Sequence, residues 1–189
     1  MALITCKNVS LAYDSVNVAE DINFAVNKGE YVCVVGENGS GKTTLMNMLS
    51  GIYYPDGGEI FVDGKEVLID NPRVAFDYGI GMVHQHFKLV DVLTAAENMV
   101  LGLNEKGRLN TKAVGEKIRK ICEQYGFNVD PDKKIYEMSV SEKQTVEIVK
   151  MLYRGVDILI LDEPTAVLTP QETEKLFAIL RNMKKDGKA

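Results

Sequence analysis

The sequence of 189 residues has no tryptophan, only two histidines, three cysteines and five prolines. Cys6, Cys33 and Cys122 are widely separated, and no CxxC pair or Cys/His cluster occurs. That spacing supports neither a disulfide framework nor a zinc site, and the chain reads as cytosolic and reduced. Cys33 falls in the apolar run Tyr31–Val35 and reads as a small core residue rather than a catalytic thiol. No run of about 18 uncharged apolar residues is present, so no segment reads as spanning a membrane. The N-terminal MALITCKNVS lacks a basic region followed by an apolar stretch, which excludes a secretory signal. A net charge of −5 argues against a general nucleic-acid binder. No internal repeat or low-complexity tract is visible.

What is present is ordinary for a globular chain: 46% apolar and 26% charged residues. The length suits one domain with a small subdomain. Partial alternation over Leu3–Leu11 and Val18–Val26 predicts antiparallel strands. The continuous apolar run Tyr31–Val35 predicts a buried strand. A helix is expected over Thr43–Ser50, closed by Gly51. Glu59–Val62 and Val67–Ile69, joined by Asp63-Gly64, read as a hairpin. Asn71-Pro72 starts a further helix. Ile80–Val83 reads as another short strand.

From Thr94 the period turns helical. Thr94-x-x-Glu97 and Ser139-x-x-Glu142 are capping boxes, and Thr111–Tyr125 is amphipathic. A buried strand returns at Asp157–Leu161, and a final helix is expected from Thr169-Pro170-Gln171-Glu172 to about Lys185. The order predicts an α/β P-loop core with an antiparallel β subdomain over residues 1–86 and 156–189. An α-helical subdomain is inserted over residues 87–155.

Two motifs carry chemistry. Gly36-Glu37-Asn38-Gly39-Ser40-Gly41-Lys42-Thr43 fits GxxxxGK[ST], with an expected buried strand before it and a helix after it. Glycines let the backbone curl so that successive N–H groups face a phosphate, and the helix adds its positive end. Lys42 can reach the β- and γ-phosphates of ATP, and the Thr43 hydroxyl can ligate Mg²⁺; Thr44 continues the binding turn. In Ile158-Leu159-Ile160-Leu161-Asp162-Glu163, four apolar residues end in two carboxylates. A strand beside the loop strand would bring Asp162 to the Mg²⁺ shell. Glu163 could polarise an attacking water as general base.

These residues, with others, resemble the ABC transporter ATPase family over nearly the whole chain. The resemblance implies that Gln85, in Gly81-Met82-Val83-His84-Gln85-His86-Phe87, senses the γ-phosphate, joins the metal shell and meets the membrane partner. It implies adenine stacking by Tyr13, whose other reading is a surface tyrosine at a strand end. The family's LSGGQ signature corresponds to Met138-Ser139-Val140-Ser141-Glu142. Ser139 and Ser141 would then bind the nucleotide of an opposing ABC domain. The other reading of Ser139-x-x-Glu142 is a capping box alone, and both can hold together. Ser141 stands where the family has glycine, Glu142 where it has glutamine, and Thr169 where the loop after Ala166-Val167-Leu168 has an acidic residue.

The stretches MSVSE and Pro164–Glu172 look most like the simple-sugar and nucleoside importers. The resemblance therefore implies an ATP-hydrolysing importer subunit on the cytoplasmic face of the membrane. Its expected partners are permease subunits, a second ABC domain and, indirectly, a solute-binding protein, with no nucleic acid. The apolar stretch within Gln85–Gly102 (Phe87, Leu89, Val90, Val92, Leu93) would dock a short permease helix or pack the helical subdomain. The family's switch histidine lies on a strand after the last helix, and His84 and His86 do not match it by position. The chain is therefore expected to be a piece of a longer protein that binds Mg-ATP but turns it over poorly. A soluble ABC ATPase acting on ribosomes is the alternative.

Overall fold

The computed structural model describes residues 2–13, 16–103 and 110–189, apart from the side chains of residues 13, 16, 17 and 19. The chain divides into two compact units. The first comprises residues 1–82, 157–162 and 183–189, and the second comprises residues 83–156 and 163–182.

In the first unit, β1 (Ala2–Tyr13) and β2 (Val16–Asn27) form an antiparallel pair. β3 (Gly57–Val62) lies on the other side of β1, and β4 (Lys65–Val67) pairs with β3, giving the order β2-β1-β3-β4. β1 sends Ile4, Cys6, Val9 and Leu11 to one core with Ile60 and Val62 of β3. The switch of face between Cys6 and Val9 is made by a register shift, with Asn8 at a positive φ of 49°. Into the same core α1 (Lys42–Leu49) places Leu45, Met48 and Leu49. Each such side chain, taken fully out of water, contributes roughly 1.5–3 kcal/mol. Burial pushes the Cys6 thiol up to about 12, so it is an inert packing group.

α2 (Pro72–Asp77) begins where Asn71 accepts bonds from the Arg73 and Val74 amides, with proline in the first turn. β5 (Ile80–Val83) and β6 (Ile158–Leu161) form a second, two-stranded sheet. Its Ile80, Met82, Ile158 and Ile160 join the core described above.

The run Tyr31–Val35 departs from its expectation. It is not a strand, and Val32 and Val35 are 47% and 85% exposed. Cys33 is exposed too, so it is not a core residue. Hydrophobic content alone does not make a strand; ladder partners do. Among the described residues β5 and β6 pair with each other, and Ala189 exchanges backbone bonds with Asp157 and Leu159. Tyr31–Val35 lies outside the strands of both sheets.

The second unit is helical: α3 (Ala95–Val100), α4 (Thr111–Tyr125), a single 3-10 turn (Ile135–Glu137) and α5 (Val140–Tyr153). α6 (Pro170–Lys185) starts in this unit, and its residues from Met183 belong to the first. Both predicted capping boxes are formed, at Thr94/Glu97 and Ser139/Glu142. Among the described residues no helix is long and apolar enough to cross a membrane.

Candidate nucleotide site

The glycine-rich loop leads directly into α1. Gly39 and Gly41 have φ of 83° and 86°, a region that L side chains rarely adopt. Gly41 is the N-cap of α1, and no side chain caps the helix there. The first-turn amides therefore lack the acceptor that most helix ends supply from their own sequence. Gly36, Glu37, Asn38, Gly39 and Ser40 are all exposed. The Lys42 ammonium donates to the carbonyls of Gly36 (2.8 Å) and Glu37 (2.7 Å), which folds its charge back onto the loop. An open helix end and a lysine within one short loop form a cradle for an anion.

Thr43, in the first turn of α1, approaches Asp162 after β6: Thr43 Oγ1 lies 3.5 Å from Asp162 Oδ1. Thr44 follows, half-buried. A hydroxyl and a carboxylate on rigid elements make an oxygen-only donor pair, the chemistry that hard divalent cations take. The pair forms without the predicted strand at Tyr31–Val35, because α1 and β6 are each held by the common core.

The second unit carries the other predicted residues. Gln85, just beyond β5, donates from Nε2 to Glu163 Oε2 at 3.2 Å. Glu163 is exposed and has a φ of 48°. That left-handed conformation costs a non-glycine residue about 1–2 kcal/mol. Such strain concentrates at functional sites.

Ser139 is the N-cap of α5, and its Oγ accepts from the Glu142 amide at 3.2 Å. Glu142 returns a bond from the Ser139 amide (2.7 Å) and pairs with Lys133 at 2.7 Å. The Lys133 hydrogen bond is the main cause holding the Glu142 carboxyl below its ordinary range, followed by the Ser139 amide. Ser141 is half-buried, and its carbonyl accepts from Thr145 Oγ1. The Ser141 side chain also bonds Glu172, adding to the larger effect of the Thr169 amide in lowering that carboxyl. The Tyr13 side chain lies outside the described residues, and its backbone pairs with Val16.

A cavity of about 360 Å³ opens in this unit beside Gln85, lined by Phe87, Leu89, Val140, Lys143 and Val167 among others. Phe87 and Leu89 were expected in such a groove; exposed Val90 and Val92 do not line it. Lys143 and Asp91 form an ion pair at 3.1 Å among the lining residues.

Thr43 and Asp162 were both singled out in the sequence, and what the structure adds is their distance across 119 positions. One feature was not singled out, a row of buried polar residues on α5, Gln144, Glu147 and Lys150. Their three-residue spacing, between the apolar positions Val146, Ile148, Val149 and Met151, was the available signal.

The ABC transporter family matches residues 19–166. The guanosine import ATP-binding protein NupO of Bacillus subtilis is 48% identical over 99% of the chain and 37% of that protein. The nucleoside import ATP-binding protein NupA of Lactococcus lactis is 53% identical over 91% of the chain and 35% of that protein. The chain thus spans little more than a third of the length of these relatives. Among solved structures, a dimeric ATP-binding cassette in a post-hydrolysis state with ADP and Pi superposes with a TM-score of 0.82. It is 26% identical, covering 98% of this chain and 84% of that one. On the sequence match, the shared fold and the phosphate loop together, the chain belongs to the ABC transporter family, in its ATP-binding part.

Proposed function

We propose that the chain binds ATP and works as the hydrolytic half-site of an importer for a small solute of nucleoside or simple-sugar type. The observation that carries this reading is the uncapped N-terminus of α1 with Lys42 and the Thr43–Asp162 oxygen pair. The nucleoside direction is supported by the import functions named for the two relatives.

On binding, Lys42 exchanges two loop carbonyls for phosphate oxygens, and charge-assisted bonds of that kind are the stronger ones. Loop amides and the α1 end hold the remaining phosphate oxygens. Thr43 and Asp162 fit Mg²⁺ by donor type, with Gln85 as a further oxygen donor. That ion would neutralise charge on the transferred phosphoryl group. Glu163 polarises the attacking water, and the amide of Gln85 fixes its carboxylate. Tyr13 stacks on adenine.

ATP brings two such domains together, each phosphate loop facing Ser139 and Ser141 of the other. Residues 1–86 and 156–189 act as the nucleotide core and residues 87–155 as the lever. A short permease helix seats in the cavity lined by Phe87 and Leu89, with the subunit on the cytoplasmic face of the membrane. A solute-binding protein takes part only indirectly.

The test is Glu163→Gln. It should retain ATP binding and lower hydrolysis at least about a hundredfold, the scale of general-base removal. Near-normal turnover would remove Glu163 from its role.

A further inference from the structure

α5 carries its buried polar residues on one row. Gln144, Glu147 and Lys150 are 6%, 1% and 7% exposed, and their neighbours Val146, Ile148, Val149 and Met151 are buried and apolar. Together the three grip the backbone of two other segments. Gln144 Nε2 donates to the Pro164 carbonyl at 2.6 Å. Glu147 Oε1 accepts from the Lys88 amide at 3.1 Å, and Lys150 Nζ donates to the Lys88 carbonyl at 2.9 Å. Glu147 and Lys150 pair at 3.6 Å, so the residue-88 backbone is clasped at both its N–H and its C=O.

The places gripped are informative. Pro164 follows Glu163 directly, and Lys88 lies three residues after Gln85. These are the two partners of the 3.2 Å hydrogen bond described above. The helix that grips them starts at Ser139.

Stability alone does not call for this arrangement. Buried ion pairs are often matched or bettered by apolar residues of similar size. The row also leaves Gln144 Oε1 and Glu147 Oε2 buried without partners. Each orphaned buried oxygen carries the desolvation penalty of a hydrogen bond left unmade. Burial also lowers the Lys150 ammonium below its ordinary value, partly offset by Glu147.

We propose that Gln144, Glu147 and Lys150 are positioning residues that hold Gln85 and Glu163 in register and tie both to α5. A displacement of the Ser139 end of the helix then reaches both groups together. The proposal rests on the reading that Gln85 and Glu163 act in hydrolysis. The clasp itself is measurable without it.

Two readouts test it on this chain. Amide exchange at Lys88, followed by NMR, should be as slow in Glu147→Gln as in the wild type, because the glutamine carbonyl still accepts the bond. In Glu147→Met/Lys150→Met it should be at least about tenfold faster, with the amides of Ile148–Leu152 unchanged. Gln144→Leu touches only the Pro164 carbonyl and carries the functional arm if the double variant does not fold. Single-turnover hydrolysis should fall about ten- to a hundredfold while ATP affinity stays within about twofold, the pattern of a misplaced group. Added to Glu163→Gln, it should cause no further loss, since its effect passes through Glu163.

Unchanged Lys88 exchange in the folded double variant would overturn the clasp. Full hydrolysis in Gln144→Leu, or equal losses of affinity and rate, would overturn the positioning role. Full hydrolysis in Glu163→Gln would instead overturn the hydrolytic reading and leave the exchange result standing.

Discussion

Two helix ends in this molecule are assigned to phosphate, and they are built in opposite ways. α1 begins at Gly41, with no side chain bonding its first turn and a lysine folded over the loop before it. α5 begins at Ser139 with a complete capping box, and its glutamate is further engaged by Lys133. The first end has amides left for a ligand. The second has its cap amides satisfied from within and a carboxylate beside them. A helix dipole favours an anion at both. At α1 the local chemistry also leaves the donors open, so under the proposed function α1 is the end that binds nucleotide unaided, and α5 contacts phosphate only when an opposing nucleotide is brought to it.

That contrast can be broken at either end. Of the two helix ends, the larger effect is expected at Gly41→Ala, because alanine at a φ of 86° is strained and the loop must shift to relieve it. A cost of about 1–2 kcal/mol follows from left-handed sterics. ATP affinity should fall about tenfold or more by calorimetry, and unchanged affinity would show that the loop conformation is not what binds. A smaller effect is expected from Ser139→Ala. Loss of the cap should cost about 1 kcal/mol of stability in thermal unfolding and leave the ATP affinity of this chain within about twofold. A drop in affinity as large as that of Gly41→Ala would erase the distinction between the two ends.

The smallest effect concerns acid. The Glu142 carboxyl lies below its ordinary value of 4.5 in the folded chain, chiefly through the Lys133 hydrogen bond and then the Ser139 amide. A depressed folded pKa means stability that is present above 4.5 and lost as pH falls through the folded value. Glu142→Gln should therefore unfold at a lower temperature than wild type at pH 7, with the gap closing as pH drops below 4.5. A gap independent of pH would detach the effect from ionisation.

The sequence announced the parts whose cause is local. Both capping boxes, the Asn71-Pro72 start and the α4 helix are decided by residues within one or two turns, and each forms where the pattern put it. The phosphate loop was legible because glycine positions and the lysine sit in one short segment.

What failed was a judgement that depends on distant neighbours. Tyr31–Val35 and Ile158–Leu161 look alike as short apolar runs before a functional loop. Ile158 and Ile160 are each 7% exposed in a paired strand, whereas Val35 is 85% exposed and unpaired. Apolar composition shows that a segment can be buried; the strand next to it decides whether it is. For the same reason, the α5 polar row could be seen as a pattern, but its grip on Pro164 and Lys88 could not.

The central claim is that the α1 end and its lysine hold nucleotide phosphate. Calorimetric titration of ATP with Mg²⁺ into wild-type chain and Lys42→Ala tests it most directly. Binding should be present in the wild type and weakened at least about a hundredfold in the variant, the expected loss of two charge-assisted bonds in the range of 1.5–3 kcal/mol each. Equal affinities in the two proteins would contradict the assignment.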